Sequence, residues 1–184
     1  RLVWFYGFPR ELAPLLGIER HTQRGKAYDG EFFTMKFAQD RPAGFPAEVR
    51  QQSPNCRVVE KLAPEGRAIA FWHDKDGRCT GVPAAVLTPR SLYLSHVLWG
   101  DADASQQRAL LLAALGHFLP GTWARVVGGA LDRVARDAGY DGLEQLADAA
   151  RDNPAAKRRA TEAAARSRQA REALAAARYG DALE

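Results

Sequence analysis

The sequence predicts an α/β fold, a mixed sheet with packed helices that is followed by a helical C-terminal extension. A short apolar run at 2–6 indicates a first buried strand. Short apolar segments separated by turns fill 57–98, and adjacent short strands favour antiparallel pairing. From 103 onward, the spacing of apolar residues changes to that of helices. We therefore expect an α/β domain over 1–138 and a helical extension over 139–184.

The first strand should lead into a short helix. Pro9 suits the first turn of that helix, and Gly17 is placed to cap its C-terminus. Pro14 interrupts it, so we expect the helix to be short or kinked. Its inward residues would be Leu12, Leu15 and Leu16. The polar stretch 19–30 that follows is expected to be a loop.

Further strands are predicted across the middle of the chain. Their expected ranges are 32–37, 57–61, 67–72, 82–87 and 91–98. The strands at 57–61 and 67–72 would pair with each other around a turn at 64–66, and 47–52 would form a helical turn. A second turn is expected at 74–77, Asp-Lys-Asp-Gly, because Asp favours the first position of a turn and Gly accepts positive φ.

Four helices are predicted in the C-terminal part. Asp103 would cap the first, with Gln106 placed to complete a capping box. Its apolar face, packed on the sheet, would comprise Leu111, Leu112, Leu115, Phe118 and Leu119. The second helix, 122–138, would turn inward Trp123, Val126, Val127, Leu131 and Val134. The third is expected at 143–150 and the fourth at 155–178.

The fourth helix and the core carry two further expectations. The helix is rich in Ala and Arg, which are strong helix formers, but it has few large apolar residues. We expect a linker helix, or half of a helical hairpin whose partner lies beyond Glu184. One core should bury Trp4, Phe5, Leu94, Leu112 and Leu115.

The composition is that of a globular protein, with 46% hydrophobic and 26% charged residues among 184. No apolar run reaches the roughly 18 to 20 residues that span a bilayer, so no membrane span is expected. The formal charge is +4, and 151–178 holds eight basic and three acidic residues. That excess would either attract an anionic partner or form a solvated helix face. The chain begins without Met, so we expect a segment of a longer or processed protein; its localisation stays unknown.

The sequence contains no complete catalytic or metal-binding motif, so no catalytic, cofactor-binding or metal residue is assigned. His73 and His96 are candidates for a pocket near strand ends. A solvated hairpin end for His73 and a buried, hydrogen-bonded ring for His96 are the simpler interpretations. Cys56 lacks the Gly-x-Cys-x-Gly elbow of an activated nucleophile. Cys56 and Cys79 are expected to be separate thiols, with a single disulfide as the alternative.

Two short motifs resemble ligand-binding loops without completing them. The turn at 74–77 resembles the start of a calcium loop, but Ala85 stands at the twelfth position, where such a loop carries Glu. Gly128-Gly129 lies within a helical pattern rather than after a strand, so it is no dinucleotide-binding fingerprint. Close helix packing is the simpler explanation for these glycines.

Several segments follow an order found in a known type of domain. They are Trp4-Phe5-Tyr6-Gly7-Phe8-Pro9, Leu12-Ala13-Pro14-Leu15-Leu16-Gly17-Ile18, Phe71-Trp72-His73-Asp74, Pro83-Ala84-Ala85-Val86, Tyr93-Leu94-Ser95-His96-Val97-Leu98, and the helix from Leu111 to Pro120 with Trp123. Over 1–135 they resemble the glutamine-amidotransferase-like domain of some glycoside hydrolases, called the β-galactosidase trimerisation domain. The resemblance implies a doubly wound sheet, flavodoxin-like or amidotransferase-like, that has usually lost amidotransferase chemistry. It also implies that the sugar-cleaving residues lie in another domain, so no catalytic residue is carried over.

The leading hypothesis is therefore a non-catalytic accessory or assembly domain of a glycoside-hydrolase-like protein. Its partner would be the upstream catalytic domain of the same protein or a second copy, with carbohydrate as a candidate ligand. One alternative is a small hydrolase or transferase with a pocket near His73 and His96. The other is a nucleic-acid-binding protein that uses the basic helix 151–178. Nucleic acid is less favoured, because the aromatic residues needed for base stacking lie mostly outside that segment.

Overall fold

The computed structural model describes residues 1–25, 31–51, 55–98, 103–137, 143–150 and 152–176. The chain is a mixed α/β protein, in which an N-terminal β-rich region with a curled six-stranded mixed sheet precedes C-terminal helices. It divides into two compact units, Arg1–Ala114 and Leu115–Glu184. The domain division that we predicted at 138 stays a prediction.

Eight strands are described in the first unit. They are β1 (Leu2–Phe5), β2 (Ile18–Gly25), β3 (Thr34–Phe37), β4 (Glu48–Arg50), β5 (Asn55–Leu62), β6 (Arg67–His73), β7 (Cys79–Leu87) and β8 (Ser91–Leu94). The six-stranded sheet has the order β1-β8-β7-β6-β3-β4, and β2 and β5 form a separate two-stranded ribbon. β1 and β8 pair in parallel, and the other pairs are antiparallel. The predicted antiparallel run is thereby confirmed for β6, β7 and β8.

The partner of β5 differs from the predicted one. We expected β5 and β6 to pair with each other, but β5 pairs with β2, while β6 pairs with β3 and β7. The turn after β5 packs against Gly17: the Ala63 N–H donates to the Gly17 carbonyl at 3.0 Å. A Cβ on Gly66 would overlap that carbonyl oxygen. This close approach holds the turn between β5 and β6 against the residue that precedes β2.

Two segments form strands where other structures were predicted. The polar stretch 19–30, expected to be a loop, holds most of β2, because its backbone pairs with β5, and Glu19, Arg20 and Thr22 are exposed there. The segment 47–52, expected to be a helical turn, holds the edge strand β4. Val49 is fully buried there between exposed Glu48 and Arg50, which is the alternation of a strand.

The strand order departs from that of a doubly wound sheet. Such a sheet is mostly parallel and carries helices on both faces between its strands. In the described part of the chain, parallel pairing is confined to β1 and β8, and the α-helices follow the strands in sequence. The mixed sheet is thus present, while most of its pairing is antiparallel.

The core of the first unit includes buried residues of the ribbon and of the larger sheet. It buries Ala13, Leu16, Ile18, Val59, Val86 and Tyr93. The segment after Pro9 forms two 3-10 turns, Arg10–Leu12 and Pro14–Leu16, and Gly17 caps the second with a φ of 74°. The predicted short helix is confirmed, but Leu15 is 60% exposed rather than inward. Neighbours in a 3-10 turn are about 120° apart, so Leu16 faces the core and Leu15 does not.

The buried side of α1 (Ala104–Phe118) also differs from the predicted one. The buried residues are Gln107, Leu110, Ala113, Ala114, Gly116 and Phe118. Leu111, Leu115 and Leu119 are 38%, 45% and 53% exposed, so their predicted burial is wrong. Apolar residues occur on all sides of this helix, so their spacing does not show which face is buried. Among the other residues expected in one core, Leu94 is fully buried, and Trp4, Phe5 and Leu112 are half-buried.

Asp103 lies at the start of α1, as predicted. Its carbonyl accepts the N–H of Gln107 at 2.9 Å, which begins the helical hydrogen bonding. Its carboxylate accepts the backbone N–H of Arg50 in β4 at 2.8 Å. The side chain therefore ties the beginning of α1 to the edge of the sheet.

The predicted second, third and fourth helices are confirmed as α2 (Gly121–Asp137), α3 (Leu143–Ala149) and α4 (Pro154–Ala175). Asn153 caps α4, since its side chain accepts the N–H of Ala156 at 3.1 Å. α4 packs on α2 and α3 and buries Ala160, Ala164 and Ala173. Its packing partners thus precede it in the chain, whereas we expected either a linker helix or a hairpin partner beyond Glu184. No described helix is long and apolar enough to cross a membrane.

Trp123 is buried in the second unit, with 1% of its surface exposed. A Cβ on Gly116 would overlap its indole Nε1, so Gly116 permits close packing. The predicted explanation for Gly128 and Gly129 is wrong, because an added Cβ would meet no described atom within 4 Å at either position. Val127 is buried and Val126 half-buried, while the side chains of Leu131 and Val134 lie outside the described residues.

Candidate functional site

Tyr6, directly after β1, has a backbone conformation that non-glycine residues seldom adopt, with a φ of 58°. Its N–H donates to the Leu94 carbonyl at 2.9 Å, and its carbonyl accepts the Tyr93 hydroxyl at 2.7 Å. Burial raises the pKa of Tyr93, which keeps that donor protonated. The Trp4 indole donates to the Gly7 carbonyl at 2.7 Å. These bonds hold a strained residue in place, and such residues are concentrated at functional sites.

The guanidinium of Arg57 lies over the Tyr6 ring, with its Cζ 5.3 Å from the ring centroid. The Arg57 backbone N–H donates to the Ser95 carbonyl at 2.7 Å, which fixes the origin of the side chain. Its Nε is buried and has no hydrogen-bond partner among the described residues. Within the same ranges, no acidic side chain forms an ion pair with it. A partly desolvated, unpaired guanidinium favours an added anion.

His21 shares a face of the β2–β5 ribbon with Arg57. His21 in β2 lies opposite Val59 in β5. Arg57 is two residues before Val59 in β5, so the side chains of His21 and Arg57 are diagonal neighbours. The imidazole packs edge-on against Phe8, with centroids 4.6 Å apart. Its Nδ1 is buried without a hydrogen-bond partner in the described part of the chain. Burial and the Arg57 charge lower the pKa of His21, although Glu60 opposes them, and these effects favour the neutral ring.

A cleft of ≈ 330 Å³ opens beside this ring, lined by Phe8, Arg10, Ala13, Glu19, Arg20 and His21. The acidic groups nearby are neutralised, because Arg20 forms an ion pair with Glu60 and Lys61 forms one with Glu19, each at 2.6 Å. On this side the wall of the cleft is therefore polar, and its positive and negative charges cancel.

Two cations are not balanced in this way, Arg10 in the lining of the cleft and Arg57 outside that lining. Arg10, which is exposed, lines the cleft, and Arg57 lies next to His21. Neither forms an ion pair with an acidic residue in the described ranges. The surroundings of the cleft are therefore net positive, and an anion is the ligand that this charge favours.

His96, one of the two predicted candidates, is 1% exposed and packs edge-on against Trp72, with ring centroids 5.0 Å apart. Burial lowers the pKa of His96 to about 3. The Trp72 indole donates to the Ser95 hydroxyl at 2.9 Å, and the Cys56 sulfur lies 3.8 Å from that oxygen. The expected burial is confirmed, but Nδ1 of His96 lacks the expected hydrogen-bond partner among the described residues.

His73, the other candidate, is half-buried, and its Nδ1 lies 3.3 Å from the Phe71 carbonyl oxygen. It follows Trp72 on β6, so the two side chains point to opposite faces of the sheet. Because His96 packs against Trp72, the structure does not bring the two histidines together. Cys56 is buried and Cys79 is exposed, and the two do not form a disulfide, as expected.

The turn at 74–77 is confirmed. The Asp74 carboxylate accepts the N–H groups of Asp76 and Arg78 at 2.9 and 2.8 Å, and Gly77 has a φ of 82°. The carboxylate thus closes the turn. In the described part of the chain, no three His, Cys, Asp or Glu side chains are grouped so that they could hold a metal ion.

The basic helix is exposed, but its charges point in several directions. Lys157, Arg158 and Arg159 are consecutive, so each is rotated by about 100° from the next. Arg166 is paired with Glu162 at 3.4 Å. Both ends of the predicted segment 151–178 lie outside the described residues. Lys157, Arg158 and Arg159 therefore do not share one face of the helix.

No sequence pattern predicted Tyr6, His21 or Arg57 as site residues. They come from the end of β1, from β2 and from β5, so no spacing in the sequence relates them. His21 stood in an expected loop, and Arg57 at the start of an expected strand. An aromatic residue at the end of a strand, directly before Gly7, was the one available signal.

A scan against protein-family models finds no match, and searches of curated proteins and of solved structures find none either. The function proposed for the chain therefore rests on its geometry and on the sequence resemblance.

Proposed function

We propose that this chain is a non-catalytic accessory or assembly domain. The position of Cys56 and His96 is the observation that carries the proposal. They face each other across an isolated β-bridge, with exposures of 0% and 1%. A nucleophile and its general base must reach the substrate, whereas these two groups lie in the interior beside Trp72 and Ser95. With a pKa of about 3, His96 is also a poor base near neutral pH.

Two exposed leucines support the assembly role. Leu115 and Leu119 are one helical turn apart, and 45% and 53% of their surfaces are exposed. Neighbouring large apolar side chains in water favour coverage by another surface. The proposed cover is the catalytic domain of the same protein.

The wider context is proposed from the resemblance alone. It places the domain in a glycoside-hydrolase-like protein, with an amidotransferase-like sheet and carbohydrate as the general substrate class. Parallel pairing of β1 with β8 agrees with such a sheet. The antiparallel order β8-β7-β6-β3-β4 is a departure from it.

The coding sequence that flanks this chain provides the first test. A neighbouring domain with paired carboxylates at glycosidase spacing supports the proposal. Removing this chain from that protein should then change the oligomeric state or KM, while hydrolysis persists. A flanking sequence without any catalytic domain would remove the glycoside-hydrolase context.

Substitution of the cysteines provides the second test. Cys56→Ser should leave any activity of the intact protein unchanged, as should Cys79→Ser, which removes the exposed thiol as a matched control. A collapse of turnover in Cys56→Ser with an unchanged circular dichroism spectrum would establish an enzyme instead. Salt-sensitive nucleic-acid binding that is lost on deleting 151–184 would favour the basic helix as the functional element.

A further inference from the structure

We propose that two copies of this chain associate through the open edge of β1, by antiparallel pairing of β1 with β1 of the second copy. The proposal goes beyond the accessory role, because it concerns a surface of the first unit and holds with or without a flanking catalytic domain. β1 is the last strand at one edge of the six-stranded sheet, and within the described ranges β8 is its pairing partner.

The backbone of β1 has one occupied side and one open side. The N–H groups of Leu2 and Tyr6 donate to carbonyl groups near the two ends of β8, each at 2.9 Å. Alternate residues of a strand point to opposite sides, so Val3 and Phe5 direct their N–H and C=O groups away from β8. Among the described residues, these groups have no backbone partner on that side. Buried backbone groups are almost always paired, so the open groups of Val3 and Phe5 face solvent.

The open groups of β1 are complementary to those of a second copy. A two-fold axis at Trp4 places Val3 opposite Phe5 of the second copy, and Phe5 opposite its Val3. Each of these two pairs exchanges two N–H···O=C bonds, which gives four hydrogen bonds in all. The four bonds use every open N–H and C=O group of both strands.

The side chains of β1 also suit pairing with a second copy. All four residues of β1 are apolar, so no like charges meet across the axis. Arg1 would lie opposite Gly7 of the second copy rather than opposite its own equivalent. The two Trp4 side chains, each half-buried, would be neighbours at the axis, and aromatic cross-strand pairs stabilise a sheet. An uncharged edge that matches itself favours a second copy over a charged peptide.

The opposite edge of the sheet is blocked, which limits the assembly to a dimer. In β4, Glu48 and Arg50 point their N–H groups away from β3, because residues 47 and 51 bond to that side. The Arg50 N–H donates instead to the Asp103 carboxylate at 2.8 Å, and both Glu48 and Arg50 are exposed. Charged and capped edges resist the addition of a strand, whereas uncovered apolar edges favour it. Pairing of β1 with β1 therefore closes a two-fold dimer and does not continue into a fibre.

Sedimentation velocity of the full chain, from about 10 µM to about 1 mM, tests the proposal. A reversible monomer–dimer equilibrium is expected, because one short strand from each copy makes a small interface. Val3→Pro removes one outward N–H from each copy, and proline is tolerated in an edge strand where the N–H faces solvent. It should raise the dissociation constant at least about tenfold, because two of the four hydrogen bonds are lost.

Glu48→Pro is the matched control, because it removes an outward N–H from the opposite edge of the same sheet. Its dissociation constant should stay within about twofold of that of the unmodified chain. Equal dissociation constants for Val3→Pro and Glu48→Pro would overturn the proposal. A dimer that Val3→Pro leaves intact would place the contact on another surface, and a chain that stays monomeric at about 1 mM would exclude the contact.

Amide exchange of the unmodified chain keeps the test decisive if Val3→Pro does not fold. The N–H groups of Val3 and Phe5 should exchange more slowly as the protein concentration rises, because the dimer bonds them. The N–H of Glu48 lies outside the proposed contact, so its exchange rate should not depend on concentration. Concentration-independent exchange of Val3 and Phe5 would also overturn the proposal.

Discussion

Gly116→Ala should destabilise the C-terminal helical unit, although alanine is the better helix former. Gly116 lies in α1 and is buried. A Cβ at this position would overlap Nε1 of Trp123 and lie 2.6 Å from its Cδ1. The indole is rigid and 1% exposed, so the whole ring must move to admit a methyl group.

The expected change in the free energy of unfolding is the difference between two opposing effects. Replacing Gly by Ala within a helix stabilises it by about 1 kcal/mol. Overpacking a filled core costs about 1–3 kcal/mol, and displacement of a buried indole lies at the upper end of that range. The net loss expected for Gly116→Ala is therefore about 2 kcal/mol.

Gly129→Ala is the matched control, because it changes a helical glycine of α2 that has no described atom within 4 Å of an added Cβ. It should stabilise the unit by about 0.5–1 kcal/mol. Urea unfolding followed at 222 nm, together with amide exchange of α2, measures both variants. If Gly116→Ala is stabilised to the same extent as Gly129→Ala, then Trp123 does not pack on α1 as described.

Three further predictions concern the core and the last helix. Leu110→Ala should lower the free energy of unfolding in urea by about 2–5 kcal/mol, because Leu110 is fully buried. Leu111→Ala should lower it by less than about 1 kcal/mol, because Leu111 is 38% exposed. Equal losses in the two variants would contradict the assigned face of α1. His96 has a pKa of about 3 in the fold and about 6.5 in an unfolded chain, so the unfolded state binds the extra proton between these values. Stability should thus decrease as the pH is lowered through that window. The urea midpoint should drop less between pH 7 and pH 5 in His96→Gln than in the unmodified chain. An equal drop in both proteins would exclude His96 as its source. Although α4 packs on other helices, the residues that it buries are mainly alanines. Its amide protons should therefore exchange faster than those of 105–118, and proteases should cut it first. Slow exchange throughout α4 would refute this prediction.

The sequence predicted elements well where one local signal dominates. Asp74 and Gly77 determine a turn through a carboxylate bond and a positive φ, and Gly17 ends the 3-10 segment in the same manner. The strand β2 was missed because its stability comes from backbone pairing with a distant strand, which polar side chains do not reveal. The face of α1 was missed because apolar residues occur on every side, so that burial depends on tertiary contacts.

The candidate site was less predictable than the fold. His73 and His96 were candidates because they are histidines in a strand-rich region. However, Trp72, which packs against His96, and His73 point to opposite faces of the sheet. Arg57 and His21 become neighbours through the register of two strands that the sequence did not pair. A site of this kind is a product of topology, so residue type and spacing alone do not locate it.

The contact between Gly17 and Gly66 has an evolutionary consequence. A Cβ on Gly17 would lie 2.7 Å from the Cα of Gly66, and a Cβ on Gly66 would overlap the Gly17 carbonyl. Neither position can acquire a side chain while the other backbone stays in place, so descendants of a common ancestor should retain both glycines or lose them together. Two glycines, one ending a proline-containing turn and the other following the fifth strand, would therefore form a signature for recognising relatives whose overall sequences have diverged beyond detection.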